Sequence, residues 1–419
     1  MSVEQPSFLY RRLSYVQGAH FIAPGIAMPF FPLWLASQGL TPSMVGFILA
    51  LPTFLRIITT PLITRLTDHK IAPAPLLIMI DCVLIGLYFL LYVPTGVVGL
   101  ASLCALIGIL HAVTIPIGDA MTLNALRQHQ HVSYGRVRLW GSLSFLISTL
   151  LVGMMLTSQN QTPVSYVLIP ALLACAYVIS AITAYASPLA GYQLLSHSSA
   201  LLTEAQHHTP HNQLHESDHK TNALYVLWLM IACVALIQAS HAAVYNFGSL
   251  YWQHKGASSS LISLFWIGGV VSEVFLFWAL STHWQKPHKA FALLVVGCLC
   301  AIIRFFVMSF NPDLNIYYVL QILHAGSFGA THLASMALIS HLAPTNKRGQ
   351  FQGYNAAFTA FAMGCSTLAS GYIYQRYISD VFVLMTALAA VGLVLALFAW
   401  RIFKRDDMFD YPHKHASGG

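Results

Sequence analysis

"ILHAVTIPIGDAMTL" (109–123) and "ILHAGSFGATHLASM" (322–336) begin with the same four letters, each inside a long apolar stretch. Eight residues beyond the shared histidine the first copy carries Asp119 and the second His332. Such an echo implies a duplicated unit. An ionisable residue at one offset in both copies implies that each unit keeps a polar face.

Composition says what kind of unit this is. The chain has 419 residues, 57% hydrophobic and 8% charged, with a mean hydropathy of +0.67. A soluble domain carries roughly 25% charged residues, so this much apolar sequence points to a protein that crosses a membrane many times. All seven cysteines fall in apolar stretches and read as small core residues rather than metal ligands. Met1 to Arg12 is too polar for a cleavable signal core, and the stretch after it is long enough to span.

Twelve spans of about 20 apolar residues lie near 12–36, 43–66, 73–94, 97–125, 137–157, 164–187, 223–250, 259–281, 288–310, 315–342, 350–374 and 379–402. The expected organisation is an all-α membrane protein of two six-helix halves, 1–190 and 222–405. A His-rich linker at 191–221 joins them and a tail at 406–419 follows. With the N-terminus cytoplasmic, sixteen of the twenty Lys and Arg residues face inward and only Lys255 and Arg376 face outward. That asymmetry sets the expected topology, with both termini cytoplasmic. It also accounts for the net charge of +7 without nucleic acid as a partner.

Aligning His111 with His324 also pairs "YGRVRLWG" (134–141) with "RGQFQGY" (348–354), and "LTPSMVG" (40–46) with "ASSSLIS" (257–263). Span 2 then matches span 8, 4 matches 10 and 5 matches 11. Six spans per half give both halves one orientation, a parallel repeat of the kind found in transporters that bind cargo near the midplane.

An ionisable group inside a span costs about 3 kcal/mol or more, so each is a functional candidate. Here they are Arg56, Asp81, Asp119, Glu273 and Arg304, with His20, His111, His241, His324 and His332. Arg56 and Glu273 occupy matching places in spans 2 and 8. They are read either as a static pair stapling the halves or as a switchable one, in which Glu273 takes a proton or Arg56 meets an anionic cargo. Asp119 is the second candidate proton carrier. His111 and Asp119 are separated by about 12 Å of rise and some 80° of turn on a helix, too far to touch. The histidines are read either as satisfied hydrogen-bonding residues or as a polar cavity lining. Asp81 and Arg304 carry less weight, and Arg304 can anchor by snorkelling.

Phe30, Tyr245 and Phe247 can wall an aromatic cargo, although an interfacial belt explains the neighbouring tryptophans. Pro24, Pro29 and Pro32 can make span 1 a gate or simply kink it. The loop "HHTPHNQLHESDH" (207–219) reads as a solvated linker before it reads as a zinc site. No Gly-x4-Gly-Lys-Ser/Thr loop, Gly-x-Ser-x-Gly elbow or His-Glu-x-x-His motif occurs. ATP-driven pumping and common hydrolase chemistry lose support, which leaves an ion gradient or the cargo's own as the energy source.

The six-plus-six repeat resembles the major facilitator superfamily. Its loop signature is degraded here: "TRLTDHK" (64–70) keeps Asp68 but has Thr64 in place of the glycine. More specific stretches are similar to the 3-phenylpropionic acid transporter group of proton symporters. They are "LTPSMVG", "YGRVRLWGS", "SHAAVYNFGSLYW" (240–252), "GGVVSEVFLF" (268–277) and "QILHAGSFGATHLASM" (321–336). The resemblance implies a monomer in a bacterial inner membrane, with spans 1, 4, 7 and 10 lining a central pathway. It implies alternating access and a proton as coupling ion; no cofactor and no bound metal are expected. The resulting expectation is a non-enzymatic, proton-coupled importer of a small aromatic carboxylate such as 3-phenylpropionate. Glu273 or Asp119 carries the proton, and Arg56 with His20, His111, His241, His324 and His332 meets the carboxylate. Phe30, Tyr245 and Phe247 hold the ring, and Asp68 and Arg304 pair helices or gate. A sugar or nucleoside symporter, a drug exporter, and a non-transporting receptor or intramembrane enzyme are the alternatives.

Overall fold

The computed structural model describes residues 6–69, 73–126, 133–159, 163–186, 216–280, 284 and 286–405. Among them the backbone is helical almost throughout, as hydrocarbon demands: with no water to bond the peptide groups, a spanning segment must satisfy them internally. The helices are α1 (Pro6–Ser37), α2 (Pro42–His69), α3 (Pro73–Leu90), α4 (Gly96–Leu126), α5 (Tyr134–Ser158), α6 (Pro163–Tyr166) and α7 (Leu168–Tyr185). They continue as α8 (Glu216–Ala239), α9 (Ala242–His254), α10 (Ser259–Ala279), α11 (Pro287–Ser309), α12 (Ile316–His324), α13 (Thr331–Leu342), α14 (Arg348–Arg376) and α15 (Val381–Arg405). Twelve helical runs are long and apolar enough to cross a membrane. They coincide with the twelve spans expected from the sequence.

Three of the expected spans are interrupted: span 6 near its start, at Val167 between α6 and α7, and spans 7 and 10 at residues picked out above. Span 7 breaks between α8 and α9 at Ser240–His241, and span 10 passes through a π-helical turn, Ala325–Ala330, between α12 and α13. A π turn adds a residue to the helical turn and is frequent at functional sites. Span 1, in contrast, runs as one helix through Pro24, Pro29 and Pro32.

The chain forms two compact units. Unit 1 comprises Met1–Thr41, Leu51–His208 and Gly256–Leu264; unit 2 comprises Pro42–Ala50, Thr209–Lys255 and Phe265–Gly419. The repeat is visible in how each is closed. In unit 1 the Ser260 hydroxyl bonds to Thr157 at the end of α5 (2.9 Å), and in unit 2 the Ser43 hydroxyl bonds to Gln375 at the end of α14 (2.5 Å). Gly39 and Gly256, which precede these serines, have φ of +77° and +85°. That is the left-handed conformation that ends a helix cheaply only at glycine.

Lipid tails are as apolar as leucine, so small residues and close backbone approach hold such helices together. Within unit 1, α1 lies against α5 and α7, and Thr149 Oγ1 donates to Gly25 O at 2.6 Å. A Cβ on Gly25 would meet Phe145 O at 2.7 Å. Within unit 2, α15 packs against α8 and α11, and a Cβ on Gly392 would meet Ile237 Cδ1 at 2.8 Å.

Overpacking a close-packed contact costs about 1–3 kcal/mol. Gly25→Val is therefore expected to lower the thermal midpoint of the purified protein in detergent. Gly86→Val, at an exposed position with no atom within 4 Å of the added Cβ, is expected to leave it unchanged. Equal midpoints for the two variants would remove the α1–α5 seam as a determinant of stability.

Candidate functional site

Unit 2 encloses an arginine. Arg304, on α11, is 1% exposed, and its guanidinium has three acceptors. Nη2 donates to Gln321 Oε1 at 2.8 Å, and Nη1 donates to His324 Nδ1 at 3.1 Å and to Ser327 Oγ at 3.5 Å. All three acceptors come from the end of α12 and the π turn. The Nε–H is buried with no hydrogen-bond partner among the described residues.

These bonds fix the histidines. An arginine only donates, so His324 Nδ1 must accept, and a neutral ring then carries its proton on Nε2. That nitrogen faces Glu273 Oε2 of α10 at 3.8 Å. The result is a chain from Arg304 through His324 to Glu273, drawn from three helices. A Cβ on Gly329, in the π turn, would lie 3.3 Å from Glu273 Cγ, so the glycine leaves room for the acid to approach.

His241, at the α8–α9 break, has the opposite tautomer. Nδ1 donates to Ile237 O at 2.9 Å, so Nε2 accepts from the Ser327 hydroxyl at 2.9 Å. Ser327 thus links His241 to Arg304. Rings surround the cluster: His241 and His324 lie 5.5 Å apart, and Tyr245 stands edge-on to His324 at 6.1 Å.

Unit 1 holds a second carboxylate. Asp119 Oδ1 accepts from Gln17 Nε2 at 2.9 Å and faces Arg138 Nε at 3.8 Å. The Arg138 guanidinium lies over the Phe21 ring, 3.9 Å from its centroid. Gln17 also bonds Thr122 (3.1 Å), which ties α1 to α4. One helical turn on, buried His20 donates from Nδ1 to Val16 O (2.6 Å), and its buried Nε2 has no partner among the described residues. His111 is bonded to the Tyr177 hydroxyl of α7. Nearby, fully buried Asp81 is bonded by Ser180 at 2.6 Å.

The structure therefore gathers His241, Tyr245, Glu273, Arg304 and His324 in unit 2, with His332 at the exposed end of the same helix face. In unit 1, Asp119 and His20 lie close together, and His111 belongs with Tyr177 instead. Arg56 is an exposed side chain of unit 1 with no hydrogen bond or ion pair to another described residue, whereas Glu273 belongs to unit 2. Phe30 is fully buried, and Phe247, 1% exposed, stacks on Tyr374 at 5.2 Å. Asp68 lies on α2 with its side chain outside the described residues, and residues 207–215 of the His-rich loop lie outside them altogether.

Gln17, Arg138, Gln321, Ser327 and Phe328 take part in these clusters without standing out in the sequence. Arg138 reads there as one of the inward-facing basic residues, and the other four are uncharged. Gln17 and Gln321 do carry a signal: each is an amide in an apolar span, a turn or less from a candidate histidine.

With this geometry, comparison with known proteins decides the family. Residues 10–385 match the model of the MFS_1 like family. The chain belongs to that family. It is a multi-pass membrane transporter of the major facilitator type. It is 30% identical over 386 residues to the "Probable 3-phenylpropionic acid transporter" of Escherichia coli (strain K12), covering 90% of this chain and 94% of that one. It is 23% identical to the "Maltose permease" of Geobacillus stearothermophilus over 91% of this chain and 92% of the relative. Its fold is that of the nucleoside transporter NupG, with a TM-score of 0.71, 14% identity, and 94% of this chain and 99% of the other covered. It is also that of a peptide transporter POT in complex with sulfate, with a TM-score of 0.70, 11% identity, and coverage of 96% and 95%.

The hydrogen-bond directions are testable. Nitrogen NMR of the labelled imidazoles, assigned with single-histidine variants, is expected to show His324 with its proton on Nε2 and His241 and His20 with theirs on Nδ1. Finding Nδ1–H on neutral His324 would break the Arg304–His324–Glu273 chain.

Proposed function

We propose that this transporter is a proton-coupled importer of a small aromatic carboxylate, with 3-phenylpropionate the first candidate. The observation that carries the reading is the Arg304–His324–Glu273 chain: an acid half-buried beside a histidine that a buried cation holds in one tautomer. The cargo class is drawn from the name of the Escherichia coli relative.

Glu273 is the coupling acid, with Asp119 as its counterpart in unit 1. Both face a nitrogen at 3.8 Å, outside hydrogen-bond range, so the contact is electrostatic and can be released. For Asp119 and Arg138, two full charges at that distance attract by about 4 kcal/mol at an effective dielectric near 20. Protonating Asp119 removes such a hold on Arg138 and frees the cation for an anion. A proton and a carboxylate thus enter together, with the pair's charge balanced. Arg56 is one of the exposed cations of unit 1, and in this scheme it joins Arg138 and the histidines in meeting the cargo's carboxylate. Arg304 positions His324 and is not itself exposed to cargo. No cofactor is needed beyond the coupling proton, and a monomer suffices. In this reading both termini are cytoplasmic, supported by the excess of Lys and Arg on one side, and the membrane is a bacterial inner membrane, by analogy with the Escherichia coli relative.

The test is uptake of labelled 3-phenylpropionate into sealed liposomes under an inward proton gradient, with protein-free vesicles as control because the neutral acid crosses lipid unaided. Saturable uptake above the control, abolished by a protonophore, is the expected result. Glu273→Gln is expected to lose uphill accumulation while retaining exchange of labelled for unlabelled acid. Undiminished accumulation by that variant would remove Glu273 from the coupling. Absence of protein-dependent flux, with competition by sugars or nucleosides instead, would replace the cargo.

A further inference from the structure

Unit 2 carries a set of rings that holding a proton does not require. His324, Phe328 and His332 follow one another at four-residue intervals through the π turn, and their rings form a stack. His324 and Phe328 have centroids 5.2 Å apart and planes inclined by 20°; Phe328 and His332 are 6.3 Å apart and inclined by only 6°. On a regular α-helix, residues four apart drift by about 40° around the axis at each step, so three rings fan out. The wider π turn offsets that drift and brings the rings into register.

The stack is graded in exposure. His324 is 8% exposed, Phe328 is half-buried and His332 is exposed. Tyr245 stands edge-on to Phe328 at 6.4 Å and is itself backed by Trp266 at 6.1 Å. The closed end abuts Arg304 and Glu273, where charge is held, and the open end is the exposed His332 ring.

We propose that the cargo's ring lies against the exposed end of the His324–Phe328–His332 stack, on the His332 ring, and that Phe328, which holds that ring parallel to its own, sets a preference for a flat aromatic ring. The inference rests on the aromatic-carboxylate reading and adds a residue to it. Stacking on a ring face distinguishes an aromatic cargo from a saturated one of the same apolar area, because only the former has a quadrupole to offset or to meet edge-on. The exposed imidazole of His332 gives the platform polar edge atoms, which suits a ring carrying a carboxylate on a short linker.

The experiment measures binding of 3-phenylpropionate and 3-cyclohexylpropionate to the full chain in nanodiscs, for the wild type, Phe328→Leu, Phe328→Tyr and His332→Ala. Aromatic pairs are worth about 0.5–1.5 kcal/mol beyond area burial, or roughly two- to tenfold in affinity. The expected result is a wild-type preference for the phenyl acid. Phe328→Leu is expected to shrink that preference by this factor with cyclohexyl affinity held, and Phe328→Tyr to retain it. A structural effect of the leucine would move both acids together. His332→Ala, at the exposed end where folding is least at stake, is expected to erode the preference in the same direction. Binding of the phenyl acid with an unchanged phenyl-to-cyclohexyl ratio in Phe328→Leu and His332→Ala overturns the platform alone. A wild type that binds neither acid overturns the cargo reading and the platform with it.

Discussion

An enclosed guanidinium governs the arrangement of unit 2. Taking a charge out of water costs several kcal/mol even after relaxation. Arginine cannot escape that cost by giving up its proton. Arg304 must therefore be met by acceptors, and a chain with few charged residues supplies them from one stretch: the Gln321 carbonyl, the His324 ring and the Ser327 hydroxyl. Each acceptor is committed by that duty. His324 is turned so that its other nitrogen faces Glu273, and Ser327 is left to donate to His241. The positions of two histidines and one acid thus follow from one buried cation.

The backbone irregularities belong to the same arrangement. His241 stands where α8 gives way to α9, and His324 stands where α12 enters the π turn. Loosening a helix in an apolar medium exposes peptide groups that must find other partners. Here the side chains bonded at the two breaks are the ones that bridge to each other and to Arg304, so the irregularities sit where the polar network already is.

The twelve spans and the repeat were legible because hydrocarbon imposes a length and a composition on every crossing, and because duplication left matched words at matched distances. The serine and glycine pairs Ser43/Ser260 and Gly39/Gly256 show how far that legibility goes, since the alignment equates residues that close the two units in equivalent ways. The site was legible only as a set of costly residues. Arg304 looked like a snorkelling anchor because its place along the span gives no sign of which way it points. The burial of Phe30 and Phe247 was equally hidden, since an aromatic facing a neighbouring helix and one facing a cargo read alike. Arg138 was masked by the rule that identified its loop as inward-facing. Sequence records which residues are expensive; the bonds that make them tolerable run between helices far apart in the chain.

The two copies of the opening motif show what duplication kept and what it released. His111 and His324 hold the same place in the repeat, yet one is bonded to a tyrosine hydroxyl and the other accepts from a buried cation. Eight residues on, one unit has an aspartate bonded by an amide and the other an imidazole lying parallel to a phenyl ring. The scaffold position survived while its chemistry diverged. A polar face kept at one register is thus filled differently in each unit, by a carboxylate in one and by an imidazole in the other.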